Sequence, residues 1–308
     1  MRTATAFVCI AGALACERRE PSPAPTAQSP RYYVVGNSPT QTLDHNSQRL
    51  LPGFGVVVVA QWMAGGERIG RTSLGREVAM KDLRPATPSQ FAGVPLDQPR
   101  LDFGWVVKDG APVLAEPGQG KLVARKPHYA RLRLQSPNGP QGYYQVVEGW
   151  MSDADLRVPH LAPRPPEVAD GEAWIDVELA SQTLVAYRGD TPVFATLVAT
   201  GVGADGSAFA TPKGIHRIRG KLLAATMDNL EHTGVVPYSY EEVPFTQYIG
   251  RVALHGAFWH DQFGIPRSHG CINLSLADAE WLFAFTKPAV PEGEKEVSAK
   301  TGTLVRVR

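Results

Sequence analysis

Hydrophobic positions along this chain fall in short runs broken by glycine and proline, and only one stretch has helical spacing. Ile175, Val177 and Leu179 alternate with Asp176 and Glu178, the period-2 pattern of a half-buried strand, and residues 184–187 return as its hairpin partner. Arg188-Gly189-Asp190 stands where the next turn belongs and is read as that turn, not as an adhesion tripeptide. Alternation resumes over 215–218, residues 252–254 predict a strand ending at His255, and 303–307 predict a last one. The single helix starts at Ser275, a good N-cap with Asp278 three residues on in capping-box spacing. Ala279, Leu282, Phe283 and Thr286 define its face, and Pro288 ends it. Upstream, residues 56–60, 105–107 and 143–147 read as strands, and 78–85 echoes 150–157, each after a glycine-rich hairpin region. Residues 224–248 have little helical period and read as a long connection, either plain surface or a functional loop. The fold class is mainly β: a C-terminal β-sandwich with a short helix, preceded by a region of one or two small β-barrels.

A chain of 308 residues exceeds what one core usually organises. Prolines 21, 23, 25 and 30 mark residues 16–30 as an extended tether, and prolines 159, 163, 165 and 166 mark 159–171 as a linker. The small β units then occupy 31–158 and the last domain 172–308. A formal net charge of +1 argues against a strongly electrostatic nucleic-acid binder. The start, Met1-Arg2-Thr3 and then an apolar run from Ala4 to Leu14, has the form of a secretory signal over 1–15. That run is too short to span a bilayer as a helix, which takes ~20 residues. Ala13-Leu14-Ala15-Cys16 resembles a bacterial lipoprotein box, which implies lipidation of Cys16 and a membrane anchor; the alternative is an ordinary cleaved signal with an incidental cysteine. Either way the chain is expected to be exported to the periplasm or cell envelope.

Export makes the cysteine count informative. Cys9 leaves with the signal, Cys16 would be acylated, and Cys271 alone remains. An unpaired thiol in an oxidising compartment is more easily explained by reactivity than by packing. His255 stands 16 positions before Cys271, His269 two before, and Gly270 immediately before it permits a tight turn that aims successive N–H groups at an oxyanion. The residues read as a Cys/His acyl-transfer centre. Two bland alternatives stand beside it: a core cysteine, and a zinc site from His255, His260, His269 and Cys271, of which only His255 and His260 have ligand-like spacing. Gly201-Val202-Gly203-Ala204-Asp205-Gly206 fits a dinucleotide-binding pattern, but a proline and no helical period follow it, so it is read as a loop.

The segment from His255 through Ser268-His269-Gly270-Cys271-Ile272-Asn273 resembles the signature of the YkuD-type L,D-transpeptidases, a resemblance running from about Glu172 to Arg308 and including Gln182-Thr183-Leu184, Ala199-Thr200-Gly201 and Thr211-Pro212-Lys213-Gly214. The twelve residues between His255 and Ser268 are a little short for the family. The resemblance implies Cys271 as nucleophile with His255 and His269, a backbone carbonyl near Gly256 orienting His255, and loop support from Gly270, Ser268 and Asn273. It implies that 224–248 is a lid over the donor groove, with Tyr238, Tyr248, Phe258, Trp259 and Arg267 as substrate contacts. It implies peptidoglycan stem peptides as substrate, no cofactor and no metal, and carbapenems as covalent inhibitors. An L,D-carboxypeptidase, a hydrolase releasing wall proteins and an inactive wall-binding protein remain as alternatives. The upstream units resemble bacterial SH3-like modules, as spacer or wall-binding element.

Overall fold

The computed structural model describes residues 31–45, 47–118, 120–136, 140, 142–231 and 237–308; the expected signal, Cys16 and the tether lie outside them. All structural statements concern the described residues. The architecture is mainly β with one α-helix.

The expected last domain is built on a six-stranded sheet ordered Gly214–Arg217, Leu304–Val307, Ala173–Glu178, Thr183–Arg188, Thr191–Leu197 and Val94–Pro95. One face carries Ile175, Val177, Leu184 and Phe194, packed against Leu254, Ile272 and Leu274 of a second sheet and Ala279 and Leu282 of the helix. The other face carries Trp174, Val185 and Tyr187, covered by Phe91, Trp105, Val107 and Phe263. This corrects the expectation of a half-buried strand. Asp176 is 1% exposed, and its carboxylate is paired with Arg306 at 2.6 Å and Arg308 at 2.9 Å. A charged residue in the alternation mimicked a solvent face, but a buried carboxylate is tolerable when cations from the neighbouring strand meet it.

The second sheet runs Ile272–Leu274, Ala253–Gly256, Ser239–Tyr248, Gly55–Ala64, Arg31–Val35 and Leu83–Pro85, with Gly220–Asp228 paired to Ser239–Tyr248. It therefore contains strands from both ends of the chain. The stretch 31–85 has its own core of Tyr33, Val35, Phe54, Val56, Val58 and Val78. A second upstream unit is a seven-stranded sheet between Phe103 and Arg157, with a core of Val106, Ala111, Val113, Met151 and Leu156.

The described residues of 224–248 are not a plain connection. They form most of an antiparallel pair, Gly220–Asp228 with Ser239–Tyr248. A register shift between Ala225 and Met227, and positive φ at Glu242 (49°) and Phe245 (56°), break the alternation that would have revealed the strands. The expected linker is also held in place: Ala162 N–H donates to the Tyr187 hydroxyl at 3.0 Å, and Val168 is buried.

The helix Leu276–Phe285 follows the cysteine loop directly, and the Ser275 hydroxyl accepts from Asp278 N–H at 3.2 Å. Asp278 does more than the capping box requires. Its carboxylate accepts from Gly93 N–H at 2.8 Å and Thr196 Oγ1 at 2.5 Å, which ties residues 88–95 to the domain. At the other end, the buried Lys221 ammonium donates to the Phe283 (2.5 Å) and Thr286 (3.1 Å) carbonyls, groups that a helix C-terminus leaves open.

Candidate active site

The parallel pairing of Ala253–Gly256 with Ile272–Leu274 places His255 beside Asn273, with Cys271 one residue before the strand. His255, Cys271, Asn273, Ser268 and His269 all line one cavity of about 430 Å³. Its wall is completed by Met227 and Tyr240 from the long strand pair and Tyr238 just before it, by Trp259 and Arg267, and by Val202 and Pro266.

His255 is 2% exposed, and its Nδ1 lies 3.2 Å from the carbonyl of Gly256. A carbonyl can only accept, so Nδ1 carries the proton and Nε2 holds the free lone pair. Burial lowers the His255 pKa to about 4, opposed by that hydrogen bond. Burial also raises the Cys271 thiol, with the Ala253 backbone N–H acting in the opposite sense. At neutral pH the resting pair is therefore an uncharged imidazole and an uncharged thiol.

The cysteine loop is braced through its backbone. Ser268 Oγ donates to the Cys271 carbonyl and accepts from Gly270 N–H at 3.1 Å. Thr211 Oγ1 donates to the Gly270 carbonyl at 2.7 Å and accepts from Gly201 N–H at 2.9 Å. Gly270 has φ 120°, a conformation that side chains disfavour. Its N–H is spent on Ser268, so of the successive N–H groups of His269, Gly270 and Cys271 only the first and last are uncommitted among the described residues. The Gly-x-Gly run proves to be packing for this loop: a Cβ on Gly201 would lie 2.1 Å from the Phe209 carbonyl oxygen and 3.0 Å from Gly270 Cα.

His260, absent from the expected acyl-transfer residues, fixes Asn273. Gln262 N–H donates to His260 Nδ1 at 3.2 Å, so Nε2 bears the proton. The Asn273 carboxamide is 3.0 Å away and must present its oxygen there; the reverse orientation sets two donors face to face and strands a buried oxygen. No three His, Cys, Asp or Glu side chains among the described residues group as metal ligands.

Of the expected substrate contacts, Tyr238, Trp259 and Arg267 line the cavity. Phe258 does not: it is fully buried and stacked on Tyr32 with ring centroids 4.2 Å apart. Tyr248 is also outside the lining, although burial and the nearby Cys271 sulfur raise its phenol. His269 lies between Tyr238 (4.9 Å, tilted) and Phe209 (5.0 Å, edge-on). Tyr240 and Met227, both within the expected lid, line the cavity as well, although strand irregularity hid which of its side chains share a face.

Residues 172–307 match the YkuD family model, the L,D-transpeptidase catalytic domain. No curated protein matches the chain. Among solved structures, the chain is similar to the catalytic domain of an Enterococcus faecium L,D-transpeptidase, with 22% identity over 45% of this chain and 98% of that one and a TM-score of 0.34. It is also similar to an L,D-transpeptidase from Stackebrandtia nassauensis (22% identity, 46% and 58% covered, TM-score 0.31). A third is L,D-transpeptidase 3 of Mycobacterium tuberculosis in complex with a faropenem-derived adduct (18% identity, 44% and 60% covered, TM-score 0.34). The chain spans less than two thirds of the latter two structures.

Proposed function

We propose that this protein is an exported peptidoglycan L,D-transpeptidase that works through a Cys271 acyl-enzyme. The observation that carries the reading is the buried His255, with Nδ1–H committed to the Gly256 carbonyl and Nε2 left as a base in the cavity it shares with Cys271.

Because the resting pair is neutral, His255 acts as a general base during attack. The sulfur bonds to the carbonyl carbon of the third stem residue while the thiol proton passes to Nε2. The C–N bond to the terminal D-Ala then breaks, and the proton leaves with its amine. An acceptor amine next attacks the thioester and gives its proton through His255 to the departing sulfur. The N–H groups of His269 and Cys271 serve the oxyanion, and one such donor is worth ~10²–10³ in rate. The aromatic wall of Tyr240 and Trp259 suits the apolar length of a stem, and Arg267 suits its carboxylate. Lipidation of Cys16, where it occurs, adds a membrane anchor.

Intact-mass analysis after exposure to a carbapenem tests the acyl-enzyme. One adduct on wild type, none on Cys271→Ala and a slow one on His255→Ala is the expected pattern. An unmodified wild type with a reduced thiol refutes it and favours an inactive wall-binding protein. Incubation with a tetrapeptide stem, with and without an acceptor amine, separates the reactions: a cross-linked product marks a transpeptidase, and tripeptide alone marks an L,D-carboxypeptidase.

A further inference from the structure

The long strand Ser239–Tyr248 presents Tyr240 to the cavity and turns the next residue the other way. Glu241 is fully buried, and its carboxylate accepts four hydrogen bonds from residues 57–76 of the upstream unit. Oε2 accepts from Val57 N–H at 3.2 Å and Ser73 Oγ at 3.1 Å. Oε1 accepts from Thr72 Oγ1 at 2.9 Å and Arg76 Nη1 at 3.3 Å.

The same place is a close backbone approach. Tyr240 pairs with Gly55 in the parallel bridge that joins the two halves of the sheet. A Cβ on Gly55 would stand 2.7 Å from the Tyr240 ring and 2.8 Å from Phe258. Tyr240 in turn stacks on Trp259 at 3.7 Å, and Trp259 lies 5.8 Å from the His255 ring. A continuous series of packed groups thus links the upstream unit to the base. The strand needs an outside hold here, because positive φ at Glu242 and Phe245 and the nearby register shift weaken its own ladder.

We infer that Glu241 is a positioning residue, and that residues 31–85 support the donor-pocket wall from behind, holding Tyr240 against Trp259 through the Glu241 carboxylate. This deepens the proposed reaction and rests on it for the identity of the donor. The upstream unit is then a structural support of the catalytic pocket and not a detachable wall-binding appendage. A buried carboxylate is tolerable only while its donors stay in place, so the clamp reports directly on whether the unit is docked.

The experiment uses the full chain and its variants Glu241→Gln, Arg76→Ala and Arg76→Lys. Four quantities are read: KM and kcat for a tetrapeptide donor, acylation by a carbapenem, alkylation of Cys271 by iodoacetamide, and hydrogen exchange of peptides covering 238–248. Losing a charge-assisted hydrogen bond on the wall is expected to raise KM about tenfold in Glu241→Gln, with kcat within about twofold. Carbapenem acylation should slow to match, exchange over 238–248 should quicken, and alkylation should keep its wild-type rate. Arg76→Ala should show a smaller effect of the same kind, and Arg76→Lys should recover most of it. Unchanged KM and unchanged exchange in a folded Glu241→Gln overturn the inference; so does a loss of alkylation that parallels the loss of turnover. If Glu241→Gln fails to fold, the two Arg76 variants decide by the same criteria. A wild type that neither turns over tetrapeptide nor accepts a carbapenem refutes the proposed reaction, while the exchange comparison still decides whether Glu241 holds the strand.

Discussion

The cysteine loop and the aromatic wall face each other across one cavity, yet they are held by opposite means. Much of the loop is secured at short range, the base by the carbonyl of its own successor and Ser268 on residues two and three positions away, with Thr211 adding a hold from 59 residues upstream. The wall is secured at long range, by donors 165 to 184 residues upstream of Glu241. Local bracing sets reacting atoms to a fraction of an ångström, which acyl transfer demands. Long-range bracing sets the shape of the room around them. Chemistry and selectivity therefore reside in parts of the molecule that substitution can separate.

The largest expected effects break the loop side. Cys271→Ala should abolish acylation, and His255→Ala should slow it by about 10²–10⁴, the usual worth of a positioned general base, both read by mass spectrometry. Thr211→Val keeps the side-chain volume but removes the hydroxyl between Gly201 and Gly270. It should cost about 1–3 kcal/mol in denaturant unfolding and slow acylation without changing the cavity lining.

A pH profile sharpens the comparison on the base itself. With its folded pKa lowered to about 4, His255 stays neutral well below the ordinary histidine value of about 6.5. The acid limb of kcat/KM for the donor should therefore fall near pH 4, and a limb at 6.5 would show that the base is solvated. Between those values the unfolded chain binds more protons than the folded one, so the contribution of His255 to stability is complete above about pH 6.5 and is lost as pH falls through 4. The smallest effect is expected at Lys213, whose 2.9 Å pair with Asp205 is exposed on both sides. Lys213→Ala should change stability by no more than ~0.5 kcal/mol and leave the donor KM unaltered, in contrast to Glu241→Gln.

The difference in bracing also explains what could be read in advance. His255, Cys271 and the residues between Ser268 and Asn273 were legible because their roles depend on near neighbours in sequence. The helix start at Ser275 was legible for the same reason. The strand Ser239–Tyr248 was not, since two residues with positive φ interrupt its period and one of its partners, Gly55, lies in another part of the chain. Phe258 looked like a substrate contact from its place beside Trp259, and only the packing of Tyr32 shows why it is buried. Asp176 looked solvent-facing for want of any sign that Arg306 and Arg308 would return beside it.

The span between Glu241 and its donors has a consequence for how the molecule comes together. Contacts that close loops of 165 to 184 residues are slow to form and contribute nothing until nearly the whole chain is available. Residues 31–85 can gather their own core early, with Gly55 paired to Val34, but the other side of Gly55 is open until Tyr240 arrives. The catalytic cavity is thus expected to be finished last, after the cysteine loop has already closed on its near neighbours. Refolding should then show two phases, in which the Cys271 environment matures before the Trp259 fluorescence does, with an aggregation-prone strand edge exposed in the interval.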